Sequence, residues 1–195
     1  MMSDRKACLF MISFLIALAG CSSAQSRYYR LNTAASASNA PSVAAAVMVG
    51  PVSVPATVDR PELVVGLDPN RVEVEEFDRW AAPLDDSIAR TVAGDLSVLL
   101  GSPSVAAGPL ADFTPAYNVT INVQRFESIK GDAATVDAVW AVRSAAGKTR
   151  SGRTIAREPV QGQGFDALAA AHSRAIAQLS SDIAAAIRAE AGANL

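Results

Sequence analysis

Histidine and cysteine are scarce in this chain, and their scarcity argues against several kinds of site. The 195 residues contain two cysteines, Cys8 and Cys21, and one histidine, His172. A metal site needs several clustered His, Cys, Asp or Glu ligands, and nucleophilic catalysis needs a base beside the nucleophile. The spacing of Leu168, His172 and Ile176 indicates a histidine packed on a helix. The sequence therefore predicts no metal, no cofactor and no enzyme activity.

Motifs that bind phosphate or activate a serine are also absent, since the chain has no P-loop, GxGxxG or GxSxG. Gly162-Gln163-Gly164 precedes a helical pattern, and we interpret it as the start of that helix rather than as a phosphate loop. Asp85 and Asp86 begin another helical pattern, where carboxylates suit the helix dipole. The formal net charge of −2 gives no reason to expect nucleic acid as a partner.

The amino terminus has the layout of a secretory signal. Arg5 and Lys6 precede an apolar run over residues 7–19. That run is shorter than the roughly 20 apolar residues that span a bilayer. One interpretation is a signal peptide cleaved at an ordinary site among small residues. The other rests on Leu18-Ala19-Gly20-Cys21, which resembles the lipobox of bacterial lipoproteins. That resemblance implies cleavage before Cys21 and diacylglycerol on its sulfur.

We therefore divide the chain into a lipoprotein signal peptide (residues 1–20), a lipidated tether (21–27) and a single domain (28–195). After Cys21 no apolar run is long enough to span a membrane, so the expected attachment is a lipid anchor. In the sorting rule known for enteric bacteria, an Asp after the lipidated cysteine retains the protein on the inner membrane. Ser22 therefore favours the periplasmic face of the outer membrane.

Hydrophobic periodicity predicts two main helices. Apolar residues recur every three or four positions over 85–100 and over 165–191, which is typical of amphipathic helices. Pro51 and Pro55 indicate that the strand containing them lies at a sheet edge or ends there. The predicted strands are 28–31, 47–55, 63–67, 72–77, 117–126, 133–144 and 149–157.

The order of these elements predicts an α/β fold. Strands, a helix, a three-stranded antiparallel meander and a second helix follow one another along the chain. We expect a single domain in which a mixed, largely antiparallel sheet is packed with two main helices. Residues 32–46 are rich in Ala and Ser and are predicted to be a loose connection.

Two clusters of charged side chains are further candidates for partner contact. The first lies on the predicted hairpin, and the second, which is basic, lies on the last two strands of the meander. We interpret the first as a solvated hairpin with surface ion pairs and the second as a strand edge protected by charge. The alternatives are a partner surface for the first, and anionic lipid or an acidic partner for the second. The residues are Arg71, Glu73, Glu75, Glu76, Asp78 and Arg79 in the first cluster, and Arg143, Lys148, Arg150, Arg153 and Arg157 in the second.

Four segments after the lipobox, taken together and in order, resemble the ABC-type transport auxiliary lipoprotein family. The resemblance covers nearly the whole chain after Cys21. It departs from the family pattern at Ala56-Thr57-Val58, where a Tyr-Leu pair is expected, and at Ala82, where Glu is common. The segments are Tyr28-Tyr29-Arg30-Leu31, Val49-Gly50-Pro51-Val52-Ser53-Val54-Pro55, Asp59-Arg60-Pro61-Glu62-Leu63-Val64 and Asp78-Arg79-Trp80-Ala81-Ala82-Pro83-Leu84, followed by the ladder of Leu and Ile over residues 165–187.

This resemblance implies a non-enzymatic role. Lipoproteins of this kind work with an ABC ATPase, a permease and an MCE-domain protein that bridges the periplasm and moves lipids. The expected role is to receive the far end of that bridge at the outer membrane, with a homo-oligomeric ring of copies as a further expectation. Such a role would support membrane integrity.

Five residues are candidates for contact with that partner. Trp80, Pro83 and Leu84 lie between the predicted hairpin and the first helix, and Trp is enriched in interface anchors; core packing of Trp80 is the simpler interpretation. Asp59 and Arg60 lie in a turn that an ion pair could hold.

Two other functions stay open at this point. The domain could itself bind a lipid or another apolar ligand, which would need an apolar cavity between sheet and helices. An envelope hydrolase is the third hypothesis, and the missing set of nucleophile and base argues against it.

Overall fold

A computed structural model describes residues 24–37 and 39–192. The predicted signal peptide and the lipidation site Cys21 lie outside the described residues. The elements along the chain are β1 (Arg27–Tyr29), β2 (Val47–Ser53), β3 (Glu62–Asp68), β4 (Arg71–Trp80), α1 (Leu84–Leu100), β5 (Val105–Ala107), β6 (Tyr117–Ile129), β7 (Ala133–Ser144), β8 (Thr149–Pro159) and α2 (Gly164–Gly192).

The strands form two mixed sheets. The smaller has the order β1-β4-β3 and the larger the order β5-β2-β6-β7-β8. The predicted fold class is confirmed, since one domain holds two main helices packed on mixed sheets. The strands predicted to form one sheet lie in two, since β3 and β4 pair with β1 instead of joining the meander. Parallel pairs join β1 to β4 and β2 to both β5 and β6.

Helix α1 begins and ends where its sequence signals indicate. Asp85 and Asp86 lie in its first turn, where their charge suits the exposed N–H groups of the helix start. Gly101 adopts a left-handed conformation with φ 63°, and its N–H donates to the carbonyl of Ser97, which is a common way to close a helix. The predicted stripe faces the core, since Ile88 and Leu96 have no exposed surface.

Helix α2 packs against α1 and against strands β7 and β8. Its predicted ladder of Leu and Ile is buried throughout, with Ile176 and Ile183 fully inaccessible. The alternation of β6 faces this helix layer: Val119, Ile121 and Val123 are each at most 3% exposed, while the polar residues between them face away. The core therefore lies between the helices and the five-stranded sheet.

Strand β2 is interior over its first half and an edge over its second. Short β5 pairs only with Val47, Met48 and Val49, and the register with β6 shifts between Val49 and Val52. Pro51 lies within that shift, where β5 has already ended, so its missing N–H interrupts no regular pairing.

The start of the segment predicted to be a loose connection is instead fixed to the helices. The N–H groups of Ala34 and Ala35 donate to Asp95 Oδ1 at 2.9 and 3.0 Å, and Ser180 of α2 donates to Asp95 Oδ2. The N–H of Asn32 donates to Ser173 Oγ at 3.1 Å. A buried carboxylate thus holds the chain that follows β1 across both helices. The composition of the segment gave no sign of this, because its hydrogen bonds come from backbone groups.

Candidate functional site

Strand β1 connects the predicted lipidated tether to the domain through Asp78. Arg27 donates from Nε and Nη2 to the two carboxylate oxygens of Asp78 at 2.8 and 2.7 Å, and Tyr29 donates its hydroxyl at 2.7 Å. The Asp78 side chain is 4% exposed, whereas that of Arg27 is 65% exposed. The first ordered strand after the tether is therefore held by a bidentate ion pair with one buried partner.

Electrostatics keep Asp78 ionised in this position. Burial alone would raise the pKa of Asp78, but the hydrogen bonds from Arg27 and Tyr29 outweigh it, and the pKa lies below its usual value. Burial and the hydrogen bond to Asp78 raise the pKa of Tyr29 to about 12. The Tyr29 phenol therefore remains a donor throughout the physiological range. We did not expect this site from the sequence, where Asp78 counted only as one charge in the hairpin cluster.

Of the five residues predicted to contact a partner, two are buried and three are exposed. Trp80 and Leu84 belong to the core, at 5% and 2% exposed, so the simpler interpretation of Trp80 as a packed residue is the one that its burial supports. Pro83, Asp59 and Arg60 are exposed. Contact with a partner stays a prediction, and only these three have side chains that could make it.

Backbone hydrogen bonds bring the two candidate segments together. The N–H of Trp80 donates to the carbonyl of Pro61 at 2.7 Å, and the N–H of Ala81 donates to Tyr29 at 2.7 Å. Asp59 lies in a turn closed by hydrogen bonds to Pro55; within the described part of the chain Asp59 and Arg60 form no ion pair. The exposed residues at 59, 60 and 83 therefore lie at one end of the three-stranded sheet, opposite the turn that joins β3 to β4.

Most charges of the two predicted clusters are paired within the molecule. On the hairpin, Arg71 pairs with Asp68 and Arg79 with Glu62, both at 3.2 Å, and Lys130 pairs with Glu75 at 3.7 Å. The basic side of the last hairpin is matched by carboxylates as well. The pairs there are Lys148 and Arg150 with Glu190, Arg153 with Asp137, and Arg157 with Asp132.

His172 makes a serine–histidine contact that the sequence spacing did not reveal. Its Nε2 lies 2.8 Å from Ser128 Oγ, its ring stacks on Phe126 at 3.9 Å, and Trp80 meets it edge-on. Burial lowers the pKa of His172 to about 3. A catalytic pair needs substrate access and a group that orients the base, but both side chains are buried and Nδ1 has no hydrogen-bond partner in the described part of the chain. The contact acts as polar packing.

The remaining candidates from the sequence, Asp86 and the segment Gly162-Gln163-Gly164, have local structural roles. Asp86 pairs with Arg90 one turn along α1 at 3.7 Å. Gly162 and Gly164 adopt φ values of 114° and 83°, so they shape the turn that leads into α2. Among residues 24–37 and 39–192, no group of three or more His, Cys, Asp or Glu could hold a metal ion. No helix within the same ranges is long and apolar enough to cross a bilayer.

A cleft of about 440 Å³ lies between the β3–β4 hairpin and the second half of β6. Val58, Val64 and Phe126 form its buried apolar wall, and the half-exposed Leu67 and Val72 extend that wall to the hairpin turn. The lipid-binding alternative called for a cavity between sheet and helices, whereas this space lies between the two sheets. Its residues come from three segments that the sequence analysis did not connect.

Comparison with known proteins identifies the family. The model of the ABC-type transport auxiliary lipoprotein component matches residues 29–184, which is most of the chain. The chain belongs to the ABC-type transport auxiliary lipoprotein family. Membership makes it a lipoprotein component that assists ABC-type transport and fits attachment to a membrane through a lipid. No curated protein matches the chain.

Solved structures share the fold of this auxiliary lipoprotein. A crystallised protein from Xanthomonas campestris is 21% identical, with a TM-score of 0.72 over 87% of this chain and 100% of the other. A second crystallised protein is 22% identical, with a TM-score of 0.69 over 84% of this chain and 99% of the other. At these identities the similarity establishes the fold alone.

Proposed function

We propose that the protein is a non-enzymatic docking subunit of an ABC-type lipid transport system. Lipid on Cys21 attaches it to the periplasmic face of the outer membrane, the location that Ser22 favours. Its partner is an MCE-domain protein that bridges the periplasm, and several copies form a ring around the end of that bridge. ATP hydrolysis takes place in other subunits.

The observation that carries this proposal is the arrangement of the two ends of the three-stranded sheet. The tether enters at β1, where Asp78 binds Arg27. Asp59, Arg60 and Pro83 are exposed at the end of the sheet away from the hairpin turn. Strand β1 pairs with β4 from Asp78 to Trp80, beside these exposed residues, and the chain before Arg27 leads away from them towards the hairpin turn. In the proposed orientation the tether keeps that direction, so the lipid lies at the hairpin end and the family motifs at the other end face a partner that approaches from the periplasm.

The burial of the serine–histidine pair among the described residues is compatible with a docking role. Ser128 and His172 are the only serine and histidine that we can pair as nucleophile and base among the described residues. Neither side chain is accessible to a substrate, since they are 4% and 0% exposed. Docking needs no accessible nucleophile, so this composition and this burial are consistent with a subunit that acts by binding.

Crosslinking in membranes tests the docking role. We expect the mature lipoprotein, crosslinked and purified from its own membranes, to carry an MCE-domain protein together with ABC transporter subunits. The charge reversal Arg60→Glu should reduce the recovered partner at least about fivefold, because Arg is enriched in binding hot spots and reversed charge disfavours encounter.

The matched control is Arg157→Glu, a reversal of an exposed arginine in β8 of the five-stranded sheet. It should leave recovery of the partner unchanged. Equal loss in both variants would indicate a general charge effect, and recovery of no transport subunit with the unmodified protein would refute the docking role.

The second candidate function is lipid binding by the domain itself. The cleft beside β3 favours it, because its walls are apolar and its volume falls within the range of about 300–1,000 Å³ that is typical of small-molecule sites.

A further inference from the structure

The direction of β1 indicates which end of the domain faces the anchoring membrane. Strand β1 runs parallel to β4, with Arg27 beside Asp78 and Tyr29 beside Trp80. Strand β4 begins at Arg71, directly after the turn that joins it to β3. Going back along the chain from Arg27 therefore leads towards the hairpin turn.

The length of the tether sets how far the anchor can reach. Six residue steps separate Cys21 from Arg27, a length that covers at most about 20 Å when fully extended. Six steps before Asp78 in β4 is Val72. A tether that keeps the direction of β1 can therefore bring the lipid-bearing cysteine level with Val72, beside the hairpin turn.

The cleft reaches the same end of the molecule. Val72 and Leu67 line it and are 52% and 50% exposed. Ile129 adds a third apolar side chain at this end, with 39% of its surface exposed. Large apolar side chains grouped around the mouth of a cleft indicate an interaction surface rather than a solvated loop.

We propose that the cleft binds one acyl chain of a phospholipid taken from the bilayer that holds the Cys21 anchor. The inference rests on lipid attachment at Cys21, which is part of the proposed function. The acyl chain enters beside Leu67 and Val72 and lies along β3 against Val64 and Phe126. Gln124, Arg125 and Glu127 give the cleft a polar border, so the lipid headgroup remains outside the apolar walls.

Gly66 provides a sharp way to close the cleft. It lines the cleft, and a Cβ atom there would lie 3.7 Å from the carbonyl oxygen of Ser128 and 3.9 Å from Ile129 Cγ1. Those are ordinary van der Waals distances, so a Cβ atom fits at position 66 without displacing the backbone, and the rest of a larger side chain would extend from it into the cleft. Gly66→Leu should therefore fill the cleft while the β3–β4 hairpin keeps its pairing.

Photolabelling tests the inference with the mature lipidated protein. The protein is reconstituted in nanodiscs whose phosphatidylethanolamine carries a diazirine in the middle of one acyl chain. After irradiation, peptide mass spectrometry should find lipid adducts on residues 62–72 and 124–129. Gly66→Leu should lower these adducts at least about fivefold. A second variant, Val72→Asn, makes the entrance polar and should lower them at least about threefold.

The control is Val139→Leu, which enlarges an exposed side chain in β7 and should leave the adducts unchanged. Thermal unfolding checks that every variant is folded. Adducts that persist in both cleft variants would overturn the inference, and so would their absence from the unmodified protein. The latter result is expected if the cleft holds the protein's own Cys21 acyl chain or a second copy.

Two accompanying measurements separate this inference from the proposed function. If intact mass shows lipid on Cys21 and transport subunits co-purify, but no cleft adduct forms, only the acyl-chain site is refuted. If Cys21 is unmodified, both are refuted together.

Discussion

Asp78 is the residue at which the tether and the domain meet. Its buried carboxylate accepts hydrogen bonds from Arg27 and Tyr29. Hydrogen bonds to a charged group contribute roughly 1.5–3 kcal/mol each, although solvent screening at the exposed Arg27 reduces its share. We predict that Asp78→Asn lowers the free energy of unfolding by about 2 kcal/mol.

Two measurements check this prediction. Urea unfolding gives the change in free energy, and hydrogen exchange should show faster exchange of the β1 amides. The control is Asp68→Asn, which breaks an exposed ion pair with Arg71 and should change stability by less than about 0.5 kcal/mol. Equal effects of the two substitutions would contradict the role given to Asp78.

His172 makes the stability of the fold dependent on pH. Burial lowers its folded pKa to about 3 from a usual value of 6.5, so the unfolded chain binds the proton more strongly. The free energy of unfolding should therefore be constant above pH 6.5 and fall below it. Uptake of one proton on unfolding changes the free energy of unfolding by at most about 1.4 kcal/mol per pH unit. Because this uptake begins only near pH 6.5, the loss between pH 7.5 and pH 5 is about 2 kcal/mol.

Neither Asp78 nor Asp95 produces a loss of stability between pH 7.5 and pH 5. Asp78, with a lowered pKa, loses its contribution only below pH 3.8. Burial raises the pKa of Asp95, so titration of Asp95 acts in the opposite sense and increases the free energy of unfolding as the pH falls. Urea titrations between pH 7.5 and pH 5 should show the slope in the unmodified protein and in Ser128→Ala. The double variant Ser128→Ala with His172→Phe should lose it, and a slope that persists there would contradict the assignment.

At the scale of elements, β7 and β8 meet at a position that requires glycine. Gly152 lies beside Trp140 in the register of the two strands. A Cβ atom at 152 would overlap the indole ring, 2.8 Å from Cη2. Trp140 cannot move freely, since its Nε1 donates to Thr154 Oγ1 at 3.0 Å and Thr154 donates in turn to Asp182 of α2.

We therefore predict that Gly152→Ala lowers the free energy of unfolding by about 2 kcal/mol, as overpacking usually does. Gly66→Ala is the matched control, because its Cβ has room and should be neutral or stabilising by up to about 1 kcal/mol. Thermal unfolding with tryptophan fluorescence measures both. If Gly152→Ala proved as stable as Gly66→Ala, the packing of Trp140 against β8 would be wrong.

Local periodicity was sufficient to predict the helices and the meander. The stripe around Ile88 and the ladder around Ile183 fixed both helices to within one residue of their observed bounds at each end. Local periodicity could not predict the parallel strand pairs, because these strands are distant in sequence and no turn signal connects them. Strand β5 is three residues long, too short for a repeated pattern.

At the scale of the whole molecule, sequence reasoning identified the candidate segments but not their arrangement. Asp59 and Pro83 were selected from family motifs, and the structure places them at one end of the three-stranded sheet. Trp80 and Leu84 were selected with them, and only the fold showed that these side chains are buried. The cleft beside Gly66 depends on β3 lying against β6, a contact between the two sheets that no local pattern encodes.

In the proposed orientation the domain has an anchored end and a free end, and this polarity depends on lipid at the amino terminus. The proposed anchored end contains the β3–β4 turn and the mouth of the cleft, and the opposite end presents Asp59, Arg60 and Pro83 close to β1 and Asp78. Without the lipid, neither end has a defined position relative to a membrane, and both the docking role and the acyl-chain site lose their basis.

Mass spectrometry of the protein purified from its native membranes tests this claim most directly. We expect a chain that starts at Cys21 and carries thioether-linked diacylglycerol on that cysteine. An unmodified Cys21, or a mature chain that starts at another residue, would contradict it.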